Sequence, residues 1–206
     1  MKRLFLIAAI IVTAFTAKAQ TPSEIVSRMS QELAKCDTLG QAFDLILNIP
    51  IIGKAGGRTW LLGDCYRIEV LGKEDSPVTW HSADTEWKFD PKENTVTIKH
   101  YTKSSDSKDG EVKHLEGLDS DYDLKIDRED DKAWYMTGKK AKTNTKKDDP
   151  KKIQLAVNKD TYLPIYYRCK EKGITISLEN VAIGVTEEEV TFNPAKYPGV
   201  TIIDER

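Results

Sequence analysis

The spacing of apolar residues changes period once along the chain, near residue 40. Before that point Ile25, Met29 and Leu33, with Val26 beside them, recur every three to four residues and lay one apolar stripe along a helix. Thr21-Pro22-Ser23-Glu24 marks its start: Thr as N-cap, Pro at the first helical position, and Glu at N3 closing a capping box. The pattern predicts an amphipathic helix from Pro22 to about Cys36, with an apolar face that needs a surface to cover.

Beyond it the period is two. Phe43, Leu45, Leu47 and Ile49 alternate with other residues, Gly53 to Gly57 marks a turn, and Trp60 and Leu62 precede Gly63-Asp64. Tyr66, Ile68 and Val70 follow on the same parity, and strand-like runs recur at 78–80, 85–89, 95–101, 122–126, 133–137, 153–157, 163–169, 174–178 and 190–192. Turn residues separate nearly all of them, so about eleven short strands stand behind one helix, with no βαβ rhythm. The prediction is a mainly β fold: a strongly curved, mostly antiparallel sheet, capped by the N-terminal helix and short helical segments. Residues 102–110 are polar and charged, and 111–118 read as a short helix or an ordered loop. No boundary divides the chain, which predicts a single domain over residues 20–206.

The N-terminus changes the setting. Lys2-Arg3 precede a fourteen-residue apolar run, Leu4 to Ala17, and Ala17-Lys18-Ala19 fits a small-x-small cleavage site. Residues 1–19 therefore read as a secretory signal peptide cleaved after Ala19, since the run is too short to cross a hydrocarbon core about 30 Å thick. The competing reading is an uncleaved anchor. Cleavage leaves 28 basic and 33 acidic side chains, a charge of −5. An exported, periplasmic protein is expected. Cys36, Cys65 and Cys169 allow at most one internal disulfide; Cys65 with Cys169 across a sheet is one arrangement, and three small buried hydrophobes the other.

Charge and motifs exclude more than they propose. The whole chain carries 31 Lys+Arg against 33 Asp+Glu, which leaves no basic excess to hold a nucleic acid. The segment Lys139 to Lys152 holds seven lysines and reads as an exposed hairpin loop, with contact to an anionic surface as the functional alternative. His81, His100 and His114 stand singly among polar neighbours and read as surface or loop side chains. Asp119-Ser120-Asp121-Tyr122-Asp123 opens like a calcium loop, but Leu124 stands where the turn needs Gly, and the alternation says strand. No nucleophile elbow, phosphate loop, zincin helix or dinucleotide fingerprint occurs. No catalytic residue, metal or cofactor is expected, and no enzyme.

One helix is too small to cover so many strands, so the sheet packs on itself or encloses a cavity. Large rings crowd the candidate inner positions: Phe43, Trp60, Tyr66, Trp80, Trp87, Phe89, Trp134 and Phe192. Such rings fill a core or line a pocket, and composition leaves both open.

Four motifs carry a family resemblance. Ser82-Ala83-Asp84-Thr85-Glu86-Trp87-Lys88-Phe89-Asp90-Pro91 resembles the S-D-G-K-T-x-W-x-Y-x-P segment of the outer-membrane lipoprotein carrier (LolA-like) family. Val190-Thr191-Phe192-Asn193-Pro194, continuing through Pro198-Gly199-Val200 to Asp204, is similar to that family's closing run. Gly57-Arg58-Thr59-Trp60-Leu61-Leu62 sits where the family has its second strand, and Thr161-Tyr162-Leu163-Pro164-Ile165 resembles a late-strand signature. Order and spacing agree over about residues 23–206. The chain departs at the turn after the second strand, where Leu62-Gly63-Asp64-Cys65 replaces the family's Arg-Pro-Asn; Arg58 and Arg67 are near but elsewhere.

The resemblance implies an unclosed β-barrel capped by helices, carrying lipoprotein acyl chains across the periplasm between inner- and outer-membrane partners, as a monomer. The expected acyl-chain lining is Phe43, Trp60, Leu62, Tyr66, Ile68, Val70, Trp80, Trp87, Phe89 and Trp134, under a lid formed by Ile25, Met29 and Leu33. Arg67 and Glu69, on the opposite parity, are expected outside. The alternative is a LolA-like binding or envelope-sensing module with a filled core and no lipid cargo.

Overall fold

The computed structural model describes residues 20–72, 75–101 and 112–206. The expected signal peptide, residues 1–19, and the polar stretch 102–110 lie outside the described residues. Two helices lead, α1 (Pro22–Leu33) and α2 (Cys36–Leu39). Six strands follow: β1 (Gln41–Ile49), β2 (Gly53–Leu62), β3 (Cys65–Val70), β4 (Val78–Ser82), β5 (Thr85–Asp90) and β6 (Thr95–His100). A 3₁₀ turn, η1 (Val112–Leu115), and α3 (Leu118–Asp121) introduce β7 (Tyr122–Glu129), β8 (Ala133–Lys140), β9 (Lys152–Asn158), β10 (Pro164–Glu171) and β11 (Ile174–Ile183). The chain ends with α4 (Glu187–Val190), a second 3₁₀ turn η2 (Pro194–Lys196) and β12 (Thr201–Asp204).

All twelve strands form one sheet in the order β12-β6-β5-β4-β3-β2-β1-β11-β10-β9-β8-β7. Every pairing is antiparallel except the parallel one between β12 and β6. Its two edges, β12 and β7, stand at opposite ends of that order, so the sheet is curved but unclosed, as the mainly β prediction requires.

Three elements differ from the expected pattern. Residues 190–192 are not a strand: α4 ends at Val190, started by a capping box between Thr186 and Glu189 that the acidic run conceals. The strand over Thr201–Asp204 has no alternating face to betray it, because it is exposed throughout. Gly53 to Gly57 is not a turn but the first half of β2; the turn lies at 50–52. Glycine is required inside that strand, since a Cβ on Gly56 would stand 2.3 Å from the Leu45 carbonyl oxygen of β1.

The sheet is covered on opposite faces in its two halves. Directly opposed residues of an antiparallel pair share a face. On one face, called here the helix face, Phe43, Trp134, Met136, Leu155, Val157, Tyr167 and Leu178 pack with Ile25, Val26, Met29 and Leu33 of α1 and with Val112, Leu115 and Leu118. All four α1 side chains are completely buried, which is where the predicted stripe goes. On the opposite face, called the tail face, Ala42, Val185 and Val190 gather Trp60, Leu62 and Cys65. Phe192 and Tyr197 extend this second core over Trp80, Trp87 and Phe89. The three cysteines form no disulfide; Cys65 lies on β3 and Cys169 on β10, with three strands between them.

Candidate functional site

The candidate site is the helix face beneath and beside α1. The helix is started as the sequence dictates, with the Thr21 hydroxyl accepting from the Glu24 amide and the Glu24 carboxylate accepting from the Thr21 amide. Its flank is latched to the β9–β10 turn: Arg28 donates to the Tyr162 hydroxyl at 2.9 Å and lies 5.1 Å from the ring centre, while Gln20 donates to the same hydroxyl at 3.0 Å. Tyr162 in turn packs on Trp134, with centroids 5.5 Å apart. Ser23 donates to Asp119 at 2.5 Å, tying the first turn to α3.

The ten expected lining residues do not converge on one surface. Phe43, Tyr66, Ile68, Val70 and Trp134 share the helix face, whereas Trp60, Leu62, Trp80, Trp87 and Phe89 point to the tail face. The error lies in carrying parity across Gly63-Asp64. With a two-residue turn, Leu62 opposes Cys65 and Trp60 opposes Arg67, so even positions of β2 share a face with odd positions of β3. By the same register Arg67 and Glu69 are not outside. They lie on the tail face, ion-paired with each other, with the Arg67 guanidinium 4.7 Å from the Trp60 ring centre and 5.8 Å from that of Trp80. Burial there pulls the Arg67 pKa down. Arg58 flanks Trp60 as well, at 5.2 Å, and pairs with the buried Asp44 at 2.9 Å.

Between the strands and α1 the surface is covered by the helix's own fully buried side chains. Yet the apolar face does not stop at the helix. One cross-sheet row runs Ile126, Met136, Leu155, Tyr167, Leu178, Leu45, Gly57 and Val70. Its middle, Met136 to Leu178, is buried and its end lies in solvent: Leu45 is 38% exposed and Val70 44%, and Ile68 in the adjacent row of the same face is 39% exposed. Scattered exposed apolar side chains are ordinary; a run continuous with the buried core is not.

Three solved structures are similar to this one. A conserved, uncharacterised protein from Thermus thermophilus matches with TM-score 0.43 and 14% identity over 90% of this chain and 100% of that one. A LolA superfamily protein from Nitrosomonas europaea matches at 0.33 and 9%, over 82% and 98%. A domain described as an outer membrane lipoprotein-sorting protein from Vibrio parahaemolyticus matches at 0.30 and 12%, over 80% and 95%. No protein-family model and no curated protein matches the chain.

Sequence reasoning missed residues that the fold makes prominent. His81, read as a surface side chain, is buried, stacked on Tyr66 with centroids 4.8 Å apart and set 3.7 Å from Tyr101. Gln41 is buried too, and its side-chain oxygen accepts from the Val112 amide at 3.2 Å, anchoring η1. Both sit on the helix face, in one row that runs Gln41, Leu61, Tyr66, His81, Glu86 and Lys99. The signal for His81 was its register with Tyr66, which becomes readable only when the turn length is right. Among the described residues no helix is long and apolar enough to cross a membrane, and no group of three or more His, Cys, Asp or Glu side chains is placed to hold a metal.

Proposed function

We propose that this protein is a periplasmic carrier that shelters the acyl chain of a lipoprotein or lipid against the helix face, with α1 as a displaceable lid. The observation that carries the reading is the apolar row continuing from beneath α1 to solvent at Leu45 and Val70, with Ile68 exposed beside it on the same face. A chain entering there meets apolar surface without a break, and each step inward displaces part of α1. Withdrawing an acyl chain from a bilayer into water costs about 0.8 kcal/mol per CH₂. A carrier has to offset most of that and still release its load. A helix that covers the same surface does both, since the lid competes with the cargo.

The two faces divide the expected lining. Phe43, Tyr66, Ile68, Val70 and Trp134 belong to the chain-holding surface, with Ile25, Met29 and Leu33 on the lid. The tail-face residues Trp60, Leu62, Trp80, Trp87 and Phe89 form the second core and take no part. Transfer partners at the inner and outer membranes, a monomeric state and an exported location belong to this reading, and carriage needs no catalytic group.

The complete burial of the α1 stripe favours a second reading, a binding or sensing module whose core is permanently filled. Mass spectrometry of a solvent extract of purified protein, with saturable quenching of Trp134 emission by a brominated fatty acid, separates them. Co-purified lipid and saturable quenching, abolished in Trp134→Phe, support the carrier. An extract free of lipid together with quenching linear in added lipid refutes it.

A further inference from the structure

His81 is 5% exposed, and among the described residues neither of its ring nitrogens has a hydrogen-bond partner. Buried polar atoms are nearly always satisfied, and an orphaned pair calls for an explanation. A phenylalanine would fill the same space without that penalty. The imidazole does not stand alone. On the same face Tyr66 stacks on it, and Tyr101 lies against it from the end of β6; the two tyrosine rings meet edge to face at 6.1 Å. Burial, reinforced by Tyr101 and Glu86, raises the Tyr66 pKa far above its ordinary value, so this phenol keeps its proton. Glu86 directly opposes His81 on β5.

This polar group adjoins the chain-holding surface. Leu61, which packs on the main core, is the residue opposite Tyr66. A chain lying on the helix face therefore brings its head toward two phenols and two unsatisfied imidazole nitrogens. These groups suit a neutral carbonyl, while the Glu86 carboxylate beside them works against an anionic head.

We propose that His81, with Tyr66 and Tyr101, forms a binding site for the neutral carbonyl head, ester or amide, of an acylated ligand whose chain lies on the helix face. The proposal rests on the carrier reading. Its test uses the mature chain and displacement of an apolar fluorescent dye by four probes of one chain length: monopalmitoylglycerol (ester), palmitoylethanolamide (amide), palmitate (carboxylate) and hexadecene (no head). The ester and the amide are expected to bind more tightly than the other two. His81→Phe should weaken both carbonyl probes about tenfold, as loss of a hydrogen bond does, and leave dye and hexadecene unchanged. A preference confined to the ester or to the amide identifies which head is used, and supports the site.

If His81→Phe alters all four probes equally, or none, the head site is wrong and the carrier reading stands. If the wild-type chain takes up neither dye nor any probe, the carrier reading falls and the head site with it. Nitrogen NMR of the His81 ring in the unmutated protein covers the case of a variant that fails to fold. Ring resonances that move with the ester or amide but not with hexadecene support the site, and a ring that stays silent overturns it.

Discussion

Met29 sits at the centre of the α1 stripe, fully buried between Ile25 and Leu33 on the main core. Truncating it to Ala removes a buried thioether chain whose loss, with the cavity left behind, costs about 2–5 kcal/mol. If α1 is a lid, that energy is withdrawn from the closed arrangement alone, because the open one does not use Met29 against the sheet. At about 1.4 kcal/mol per factor of ten, the open population rises roughly 30-fold at the lower bound and more than a thousandfold at the upper. Apparent affinity for a ligand that needs the open form rises by the same factor until that form predominates. Two measurements check this on the same samples: affinity for an apolar dye, and hydrogen exchange of the α1 amides against those of β8 to β10. The expected outcome is tighter dye binding with fast exchange in α1 while the strands stay protected. Unchanged dye affinity, with α1 and the strands exchanging together, would show that the helix is a structural plug and refute the lid.

Gly138→Ala should destabilise by about 1–3 kcal/mol in thermal or chemical denaturation, because the new Cβ would lie 2.8 Å from Ile153 and 2.9 Å from Leu124 across the β7–β8–β9 interface. Replacing the lysines of Lys139 to Lys152 by Gln should leave the melting temperature within a few degrees, whereas Asn144→Ala should lower it more, since Asn144 donates to the Asp121 carbonyl at 3.3 Å and to the Asp149 carboxylate at 2.7 Å. In alkali, Tyr122 is pushed up to about 12 and Tyr167 beyond it, chiefly by burial. A folded pKa above the unfolded one means stabilisation that is complete below pH about 10 and is lost as pH rises through about 12, which denaturation midpoints and phenolate absorbance across that range would reveal.

Most of the architecture was legible because an antiparallel sheet writes its period into the sequence. The leading helix, its capping box and its buried stripe, and the eleven strands from β1 to β11, follow from Thr21, Glu24, Ile25, Met29 and runs such as Phe43 to Ile49. What failed is what local pattern does not encode. Gly56 looks like a turn residue but serves a close approach between β1 and β2, and the exposed β12 has no contrast between its faces. The candidate surface suffered most. Trp60 and Tyr66 look like neighbours on one lining, yet a single two-residue turn sends them to opposite faces, and a run of alternating residues cannot say which face belongs to which cover. His81 escaped notice for the same reason. It lies against Tyr66 and Tyr101, which are distant in sequence and adjacent only after pairing.

The sheet that changes its covered side between halves also sets how much of the molecule the proposed loading of a chain would disturb. The first four residues of β1, Gln41 to Asp44, are all buried, with Phe43 pointing into one core and Ala42 into the other. This stretch acts as a common spine. Lifting α1 bares the apolar side of β7 to β11, while α4, Phe192 and Tyr197 keep their grip on the opposite side of β2 to β6. The strand-to-strand hydrogen bonds that cross the spine belong to neither cover and survive. If α1 is the proposed lid, its opening is thereby confined to one compartment, at a free energy below that of unfolding the whole. A helix can be peeled from such a molecule again and again while the other half holds the chain in register for its return.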